Sequence, residues 1–259
     1  MSLRRKLSKA ARALRHPLAR RALRHGVAPA WEHAGLLAGL GPLVTVVDAG
    51  ANVGQFALLT RIVQPGARIH SFEPMRAAAD IWERVMAGEA DVRLHRCALG
   101  ARAGQAELHV TARADSSSLL APAAQAEVFP GTHEIGTETI RVARLADEIA
   151  PGDLEGPALL KIDVQGYEGE VLGGCEDMLD RFEWIYCEAS FRELYAGQPL
   201  AHEIVARLAA RGFDLAGVET DPLMVRDGRA VQADFLFSRR TAREPAREHD
   251  MQRTEESRP

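Results

Sequence analysis

The stretch that decides the fold is VTVVDAGANVG, from Val44 to Gly54. An apolar, β-like run ends in Asp48, and Gly50 follows where the chain must turn sharply and approach a ligand closely. Asn52 is suited to cap the helix-like run that comes next. A buried strand, a glycine turn and a helix form the first unit of a doubly wound α/β sheet, which binds ligands beyond the carboxyl ends of its strands.

A second acid, Glu73, ends the next β-like run, 25 residues after Asp48. An acid in this place can accept hydrogen bonds from both ribose hydroxyls of an adenosine group. Gly50 and Gly54 do not form a G-x-G-x-x-G pattern, and Asp48 beside the turn would repel a pyrophosphate. S-adenosylmethionine has no phosphate and carries cationic ammonium and sulfonium groups, so the pattern favours it. A nucleotide-binding oxidoreductase is the alternative.

Most of the chain alternates β-like and helix-like runs, which predicts a parallel sheet covered on both faces. The last two strands leave no room for a helical crossover, so they should pair antiparallel. The segment from about 105 to 141 interrupts the alternation and is predicted to be an insertion near the site. The predicted strands are 43–48, 67–73, 92–98, 106–111, 139–142, 158–163, 184–189, 213–218 and 233–237, and the predicted helices are 52–63, 76–87, 168–179 and 200–211.

The composition indicates an ordinary globular protein: 259 residues, of which 46% are hydrophobic and 26% charged. Cys97, Cys175 and Cys187 cannot all pair within the chain and form no C-x-x-C motif, which argues against zinc and favours a reducing cytoplasm. No run of about 18 apolar residues is present, so no membrane span is expected.

The charge is unevenly distributed. Nine of the 32 basic residues and no acid lie in the first 25 positions, so the rest of the chain holds 23 basic residues against 36 acids. We expect residues 1–40 to be a basic helical extension, 41–239 the main domain and 240–259 a disordered tail. The basic helix could pack on the domain, contact anionic lipid at the inner membrane surface, or bind a protein partner. The acidic body makes nucleic acid an unexpected partner.

A second strand–acid–glycine–helix unit is LLKIDVQGYEGEVLGG, from Leu159 to Gly174. Asp163 should lie at the tip of the fourth strand of the sheet, and Glu188 near the tip of the fifth, facing the same crevice. Either carboxylate could act as a base or orient an acceptor, or could serve only in local hydrogen bonds. Together they could hold a divalent metal, but no third ligand has a matching spacing, so a metal is possible and not favoured.

Taken together, these motifs resemble the FkbM-type S-adenosylmethionine-dependent methyltransferases, from about Glu32 to Arg239. The resemblance implies a class I methyltransferase fold, with a Rossmann-like sheet of seven strands whose last strand is antiparallel. It also implies in-line methyl transfer to a hydroxyl of a sugar, a glycan or a secondary metabolite. A non-catalytic binding module on the same fold is a further alternative. The matching motifs are VVDAGANVGQF (46–56), SFEP (71–74), CALG (97–100), DSSSLL (115–120), LLKIDVQGYEGEVLGG (159–174), EASFRELYAGQ (188–198), RGFDL (211–215) and QADFLF (232–237).

Residue roles follow from the motifs and the resemblance. Gln165 stands where the family often has Glu, which leaves the acceptor more open. His33 fits no ligand pattern and is interpreted as structural or exposed. The predicted catalytic residues are Asp163 and Glu188; the predicted cofactor-binding residues are Asp48, Gly50, Asn52, Gly54, Gln55, Glu73, Pro74, Ala98 and Ser117; and the predicted substrate-binding residues are Ser118, Phe191 and Tyr195.

Overall fold

The computed structural model describes residues 16–220 and 224–240. The predicted basic helix before residue 16 and the predicted tail from 241 lie outside the described residues. Within them, no helix is both long enough and apolar enough to cross a bilayer.

Twelve strands are present among the described residues. They are β1 (Thr45–Ala49), β2 (Arg68–Phe72), β3 (Val92–His95), β4 (Ala98–Leu99), β5 (Gly104–Thr111), β6 (Glu134–Ala143), β7 (Ala158–Ile162), β8 (Trp184–Ser190), β9 (Phe213–Glu219), β10 (Val225–Arg226), β11 (Arg229–Ala230) and β12 (Gln232–Arg239).

Eight α-helices are present among the described residues. They are α1 (Pro17–Leu23), α2 (Ala34–Gly39), α3 (Gln55–Val63), α4 (Arg76–Met86), α5 (Gln125–Val128), α6 (Leu145–Glu148), α7 (Glu168–Gly174) and α8 (Ala201–Ala210).

The main sheet has seven strands in the order β3-β2-β1-β7-β8-β12-β9. β12 lies between β8 and β9 and is antiparallel to both, which confirms the prediction for the last two strands. The strand order reverses between β1 and β7, the position at which an open α/β sheet forms its ligand crevice.

The two central strands are buried along their whole length, as expected when helices cover both faces of a parallel sheet. Val47 and Ala49 of β1 pack on one face with Leu160, whereas Val46 packs on the other with Leu159. β1 pairs in parallel with β7, with Val46 opposite Leu159 and Ala49 opposite Ile162, and this register sets the positions of the loops that follow the two strands.

The predicted insertion forms a second, three-stranded sheet. β5 and β6 make a long antiparallel hairpin, and β4 joins β6 in parallel. Leu108, Ile140 and Val142 of this sheet pack against Met75 and Ala78 at the carboxyl end of β2. The insertion therefore covers the crevice edge of the main sheet.

Two predicted elements differ from the structure, and one hairpin is additional. The run 92–98 divides into β3 and β4, since the Cys97 N–H donates back to the His95 carbonyl (2.9 Å) and the chain then enters the second sheet. The helix predicted over 168–179 ends at Gly174, where a side chain would overlap the Gly100 backbone, and a 3₁₀ helix follows. The β10–β11 hairpin was not predicted.

The described part of the N-terminal segment packs on the domain. Leu18 and Ala22 of α1 are buried in one apolar cluster with Leu58 and Trp82. Arg21 pairs with Glu89 at 3.0 Å. We call residues 1–25 the basic head; its described part therefore packs on the body of the protein.

Candidate functional site

A cavity of about 380 Å³ lies at the carboxyl ends of β1, β2, β7 and β8, beneath the insertion. It brings together residues that are far apart in the sequence. Of the predicted site residues, it is lined by Gly50, Asn52, Gln55, Glu73, Pro74, Ala98, Ser117, Ser118, Asp163 and Glu188. Asp48, Gly54, Phe191 and Tyr195 do not line it.

The turn after β1 requires its glycines for packing. Gly50 has φ +79°, and a Cβ there would overlap the Asp163 carbonyl, so β1 and the β7 tip approach through bare backbone. Gly54 has φ +90°, and a Cβ would lie 2.9 Å from the Trp82 ring. The prediction that Asn52 caps the helix is wrong: α3 begins at Gln55, with Gly54 as its cap residue.

Glu73 is buried and anchors this turn. Its Oε2 accepts the Asn52 N–H and its Oε1 accepts the Met75 N–H, each at 2.8 Å. Burial raises the pKa of Glu73 to about 7, although these two backbone N–H groups oppose the shift. A carboxylate oxygen can accept more than one hydrogen bond, so Glu73 can still accept from hydroxyls in the cavity.

Asp48 faces a cation of the protein itself. Lys161 Nζ lies 3.1 Å from Asp48 Oδ1 and 3.7 Å from Asp163 Oδ2, and it donates to the Gly50 carbonyl at 3.0 Å. Burial works against the charge on Lys161, but the two carboxylates outweigh it and raise its pKa. The prediction that Asp48 faces the cationic cofactor therefore needs correction, since Lys161 already neutralises it.

Asp163 and Glu188 both line the cavity, at the carboxyl ends of β7 and β8 where the strand-tip argument predicts them. The Gln165 Nε2 donates to Asp163 Oδ1 (3.0 Å) and to Glu188 Oε2 (2.9 Å), and Gln232 Nε2 donates to the same Glu188 oxygen (3.0 Å). Burial, with the nearby Asp163 and Asp234 carboxylates, raises the pKa of Glu188 well above its usual range. The two amides hold the Glu188 carboxyl group in one orientation.

The Gln165 amide lies between the two carboxylates, where a divalent metal held by Asp163 and Glu188 would bind. Among the described residues, no group of three or more His, Cys, Asp or Glu side chains could hold a metal ion. The donor set that surrounds the carboxylates consists of amide N–H groups and Lys161, which are suited to bind acids and not cations.

The predicted substrate residues have different positions. The Ser118 hydroxyl donates to the Gln165 carbonyl (2.7 Å) and accepts the Leu120 N–H (3.0 Å), so it fixes the insertion to the β7 loop. Tyr195 is buried, and its hydroxyl lies 3.0 Å from Gln165 Oε1 and 2.8 Å from the Ser116 carbonyl. Both hydroxyls therefore form hydrogen bonds within the protein, and each of them holds an oxygen atom of Gln165.

Phe191 lies outside the cavity, which contradicts its predicted place in the acceptor pocket. Its N–H pairs with the Val231 carbonyl at 2.8 Å, and its ring packs on Phe235.

Sequence reasoning missed Lys161, Gln232 and two residues of the N-terminal segment. Glu32 and His33 line the cavity, and His33 Nδ1 lies 2.9 Å from the Tyr186 hydroxyl. The interpretation of His33 as structural or exposed is therefore incomplete. A lysine within an otherwise apolar strand was an available signal for Lys161, whereas Glu32 and His33 carry no pattern that connects them to the site.

The sheet order, the glycine turn after β1 and the acid after β2 define the class of protein: this is a class I methyltransferase fold. The chain belongs to the FkbM methyltransferase family, since the model of the methyltransferase FkbM domain matches residues 48–215.

Two curated relatives cover most of the chain. The 31-O-demethyl-FK506 methyltransferase FkbM of Streptomyces tacrolimicus is 29% identical over 245 residues, which are 85% of each protein. The 2-O-methyltransferase NoeI of Sinorhizobium fredii is 31% identical over 198 residues, covering 71% of this chain and 79% of the relative. Among solved structures, the magnesium protoporphyrin IX methyltransferase of Synechocystis, with bound SAM, matches with a TM-score of 0.46 and 12% identity, covering 87% of this chain and 85% of that one.

Proposed function

We propose that this protein is an S-adenosylmethionine-dependent O-methyltransferase that acts on a hydroxyl of a sugar, a glycan or a secondary metabolite. The observation that carries the proposal is one cavity that is lined by Glu73 and also by the Asp163–Glu188 pair. The names of two relatives, a 31-O-demethyl-FK506 methyltransferase and a 2-O-methyltransferase, support oxygen as the atom methylated.

The cofactor end of the cavity fits S-adenosylmethionine. Glu73 can accept the ribose hydroxyls, and Pro74, Met75, Ala98 and Leu108 offer apolar surface for an adenine ring. The cofactor, when bound, supplies a methyl group on a sulfonium, which is a good leaving group. The protein then needs to hold the acceptor in line, keep water away and remove one proton.

The acceptor end supplies the proton-transfer group. Asp163 orients the acceptor hydroxyl, and the ionised form of Glu188, which its raised pKa makes a stronger base, takes the proton as the carbon–oxygen bond forms. Gln165 and Gln232 keep Glu188 in place through their hydrogen bonds. Lys161 places a positive charge 3.7 Å from the Asp163 carboxylate.

Calorimetry with S-adenosylhomocysteine, followed by transfer of labelled methyl to a panel of saccharides and polyketide alcohols, tests the proposal. Asp163→Asn and Glu188→Gln should retain S-adenosylhomocysteine binding and lose about 10²-fold or more in transfer rate. Glu107→Gln, at an exposed carboxylate on β5, is the matched control and should behave as the wild type.

Absence of S-adenosylhomocysteine binding would contradict the cofactor assignment. Transfer of the label to a nitrogen or carbon atom would contradict the hydroxyl assignment. Full activity of both carboxylate variants would remove their catalytic roles.

A further inference from the structure

A second, open cavity of about 840 Å³ lies beside the site. We call it the outer groove; it is lined by Phe191, Arg192, Arg226, Asp227, Arg229, Ala230 and Val231. None of these residues lines the cavity that holds Glu73 and Asp163.

Residues that line the outer groove are neighbours, along the chain, of residues at the acceptor end of the site. The Val231 N–H donates to the carbonyl of Met224, which lines the cavity, and the next residue, Gln232, holds Glu188. Phe191 follows Glu188 by three residues, or about 10 Å of extended chain. This separation is of the length that a molecule longer than one sugar ring would span.

Positive charge dominates the outer groove, with three arginines and one aspartate. Arg192 and Arg229 are exposed, and no carboxylate in the described part of the chain forms an ion pair with either. The whole chain carries a net charge of −4, so this cluster is a local exception. Guanidinium groups bind carboxylates and phosphates through paired hydrogen bonds.

An aromatic ring lies at the same rim. Phe191 is 46% exposed, and its ring packs against Phe235 with the centroids 5.7 Å apart, so its position is held. A fixed, exposed aromatic ring offers an apolar surface to the C–H face of a sugar at little cost in side-chain entropy.

We propose that the outer groove binds an acidic saccharide unit of an extended acceptor, with Arg192 and Arg229 on its carboxylate or phosphate and Phe191 against its ring. The proposal rests on the proposed function, because the hydroxyl to be methylated lies at Glu188. In this proposal Phe191 contacts the acceptor at the sugar unit next to the one that carries the reacting hydroxyl.

Binding can be measured without catalysis. Calorimetry on the full chain saturated with S-adenosylhomocysteine uses three probes: trigalacturonic acid (carboxylates), glucose 1-phosphate (a phosphate) and maltotriose (neutral). At low salt we expect at least one acidic probe to bind about tenfold more tightly than maltotriose. The difference should shrink at about 0.3 M salt, where the Debye length is roughly 6 Å.

The double variant Arg192→Ala/Arg229→Ala should lose this preference, and Phe191→Ala should weaken binding of the preferred acidic probe severalfold. Arg102→Ala is the control, since Arg102 is exposed and lines neither cavity. If trigalacturonic acid and glucose 1-phosphate bind with different affinities, the tighter one shows whether the groove prefers a carboxylate or a phosphate. This holds when the double variant loses the difference.

Equal affinity for the acidic and neutral probes, or an acidic preference that survives the double variant, would overturn the proposal. Loss of S-adenosylhomocysteine binding or of methyl transfer in the wild type would instead overturn the proposed function, and the same probe titrations on the chain without S-adenosylhomocysteine keep the two failures apart.

Discussion

At the scale of single residues, Lys161 has the largest structural consequence. It is 9% exposed and lies beside a fully buried Asp48, so the two charges depend on each other. Removing one partner of a buried ion pair leaves an uncompensated charge, whereas replacing both is often nearly neutral.

Lys161→Met should therefore lower the free energy of unfolding by about 3–5 kcal/mol, and Lys161→Met combined with Asp48→Asn should recover much of that loss. Urea denaturation of the two single variants and the double variant measures the coupling. Additive losses would contradict the view that Lys161 serves mainly to neutralise Asp48.

Glu73 gives a prediction for pH. Its pKa is raised to about 7 in the free protein, and the ribose hydroxyls would donate to its ionised form. Below about pH 7 the carboxyl is protonated and must lose that proton to accept both bonds, so the affinity for S-adenosylhomocysteine should fall by up to tenfold per pH unit. Above about pH 7 the affinity should be flat with respect to this group.

Calorimetric titrations between about pH 5.5 and pH 8.5 measure this dependence. Glu73→Gln should bind more weakly and lose the slope, which separates Glu73 from other titrating groups. An unchanged slope in that variant would assign the pH dependence elsewhere.

At the scale of elements, the insertion and the loop after β8 meet at Gln165. Ser118 holds the Gln165 carbonyl, and Tyr195 holds its side-chain oxygen. Because these contacts orient the Gln165 amide toward Asp163 and Glu188, the insertion reaches the acceptor end through hydrogen bonds to a residue of the β7 loop.

Tyr195→Phe removes one hydroxyl from this arrangement without changing the ring. We expect an unfolding free energy lower by about 1 kcal/mol, a transfer rate lower by about tenfold and an unchanged affinity for S-adenosylhomocysteine. Parallel loss of cofactor affinity and rate would indicate a general packing defect.

The elements of the main sheet were predictable because strand–glycine–helix periodicity is local. Glu73, Asp163 and Glu188 follow from the rule that carboxyl ends of parallel strands share one edge. Gln232 and His33 could not be found in this way, since their places depend on the antiparallel register of β12 and on how the N-terminal segment packs. Ser118 and Tyr195 were associated with the site, but their hydrogen-bond partners required coordinates.

At the scale of the whole molecule, the basic head is divided. Its described part packs on the domain through α1, whereas six basic residues precede residue 16. We propose that these residues attract anionic lipid, with each contributing about 1 kcal/mol near a charged surface.

The full chain should co-sediment with vesicles that contain anionic lipid and not with neutral vesicles, and deletion of residues 1–15 should abolish the binding. High salt should weaken it, since the attraction is screened. Equal sedimentation with neutral vesicles, or unchanged binding after the deletion, would contradict a membrane role for the head.

The backbone of Gly50 packs against that of Asp163, and Lys161 contacts both residues. The turn after β1 and the tip of β7 should therefore move together. A ligand that orders the β1 turn also orders the tip of β7. A second ligand then binds to a protein that has less conformational entropy left to lose. We therefore expect positive cooperativity between cofactor and acceptor. By thermodynamic reciprocity, the factor by which one tightens the other is the same whichever binds first.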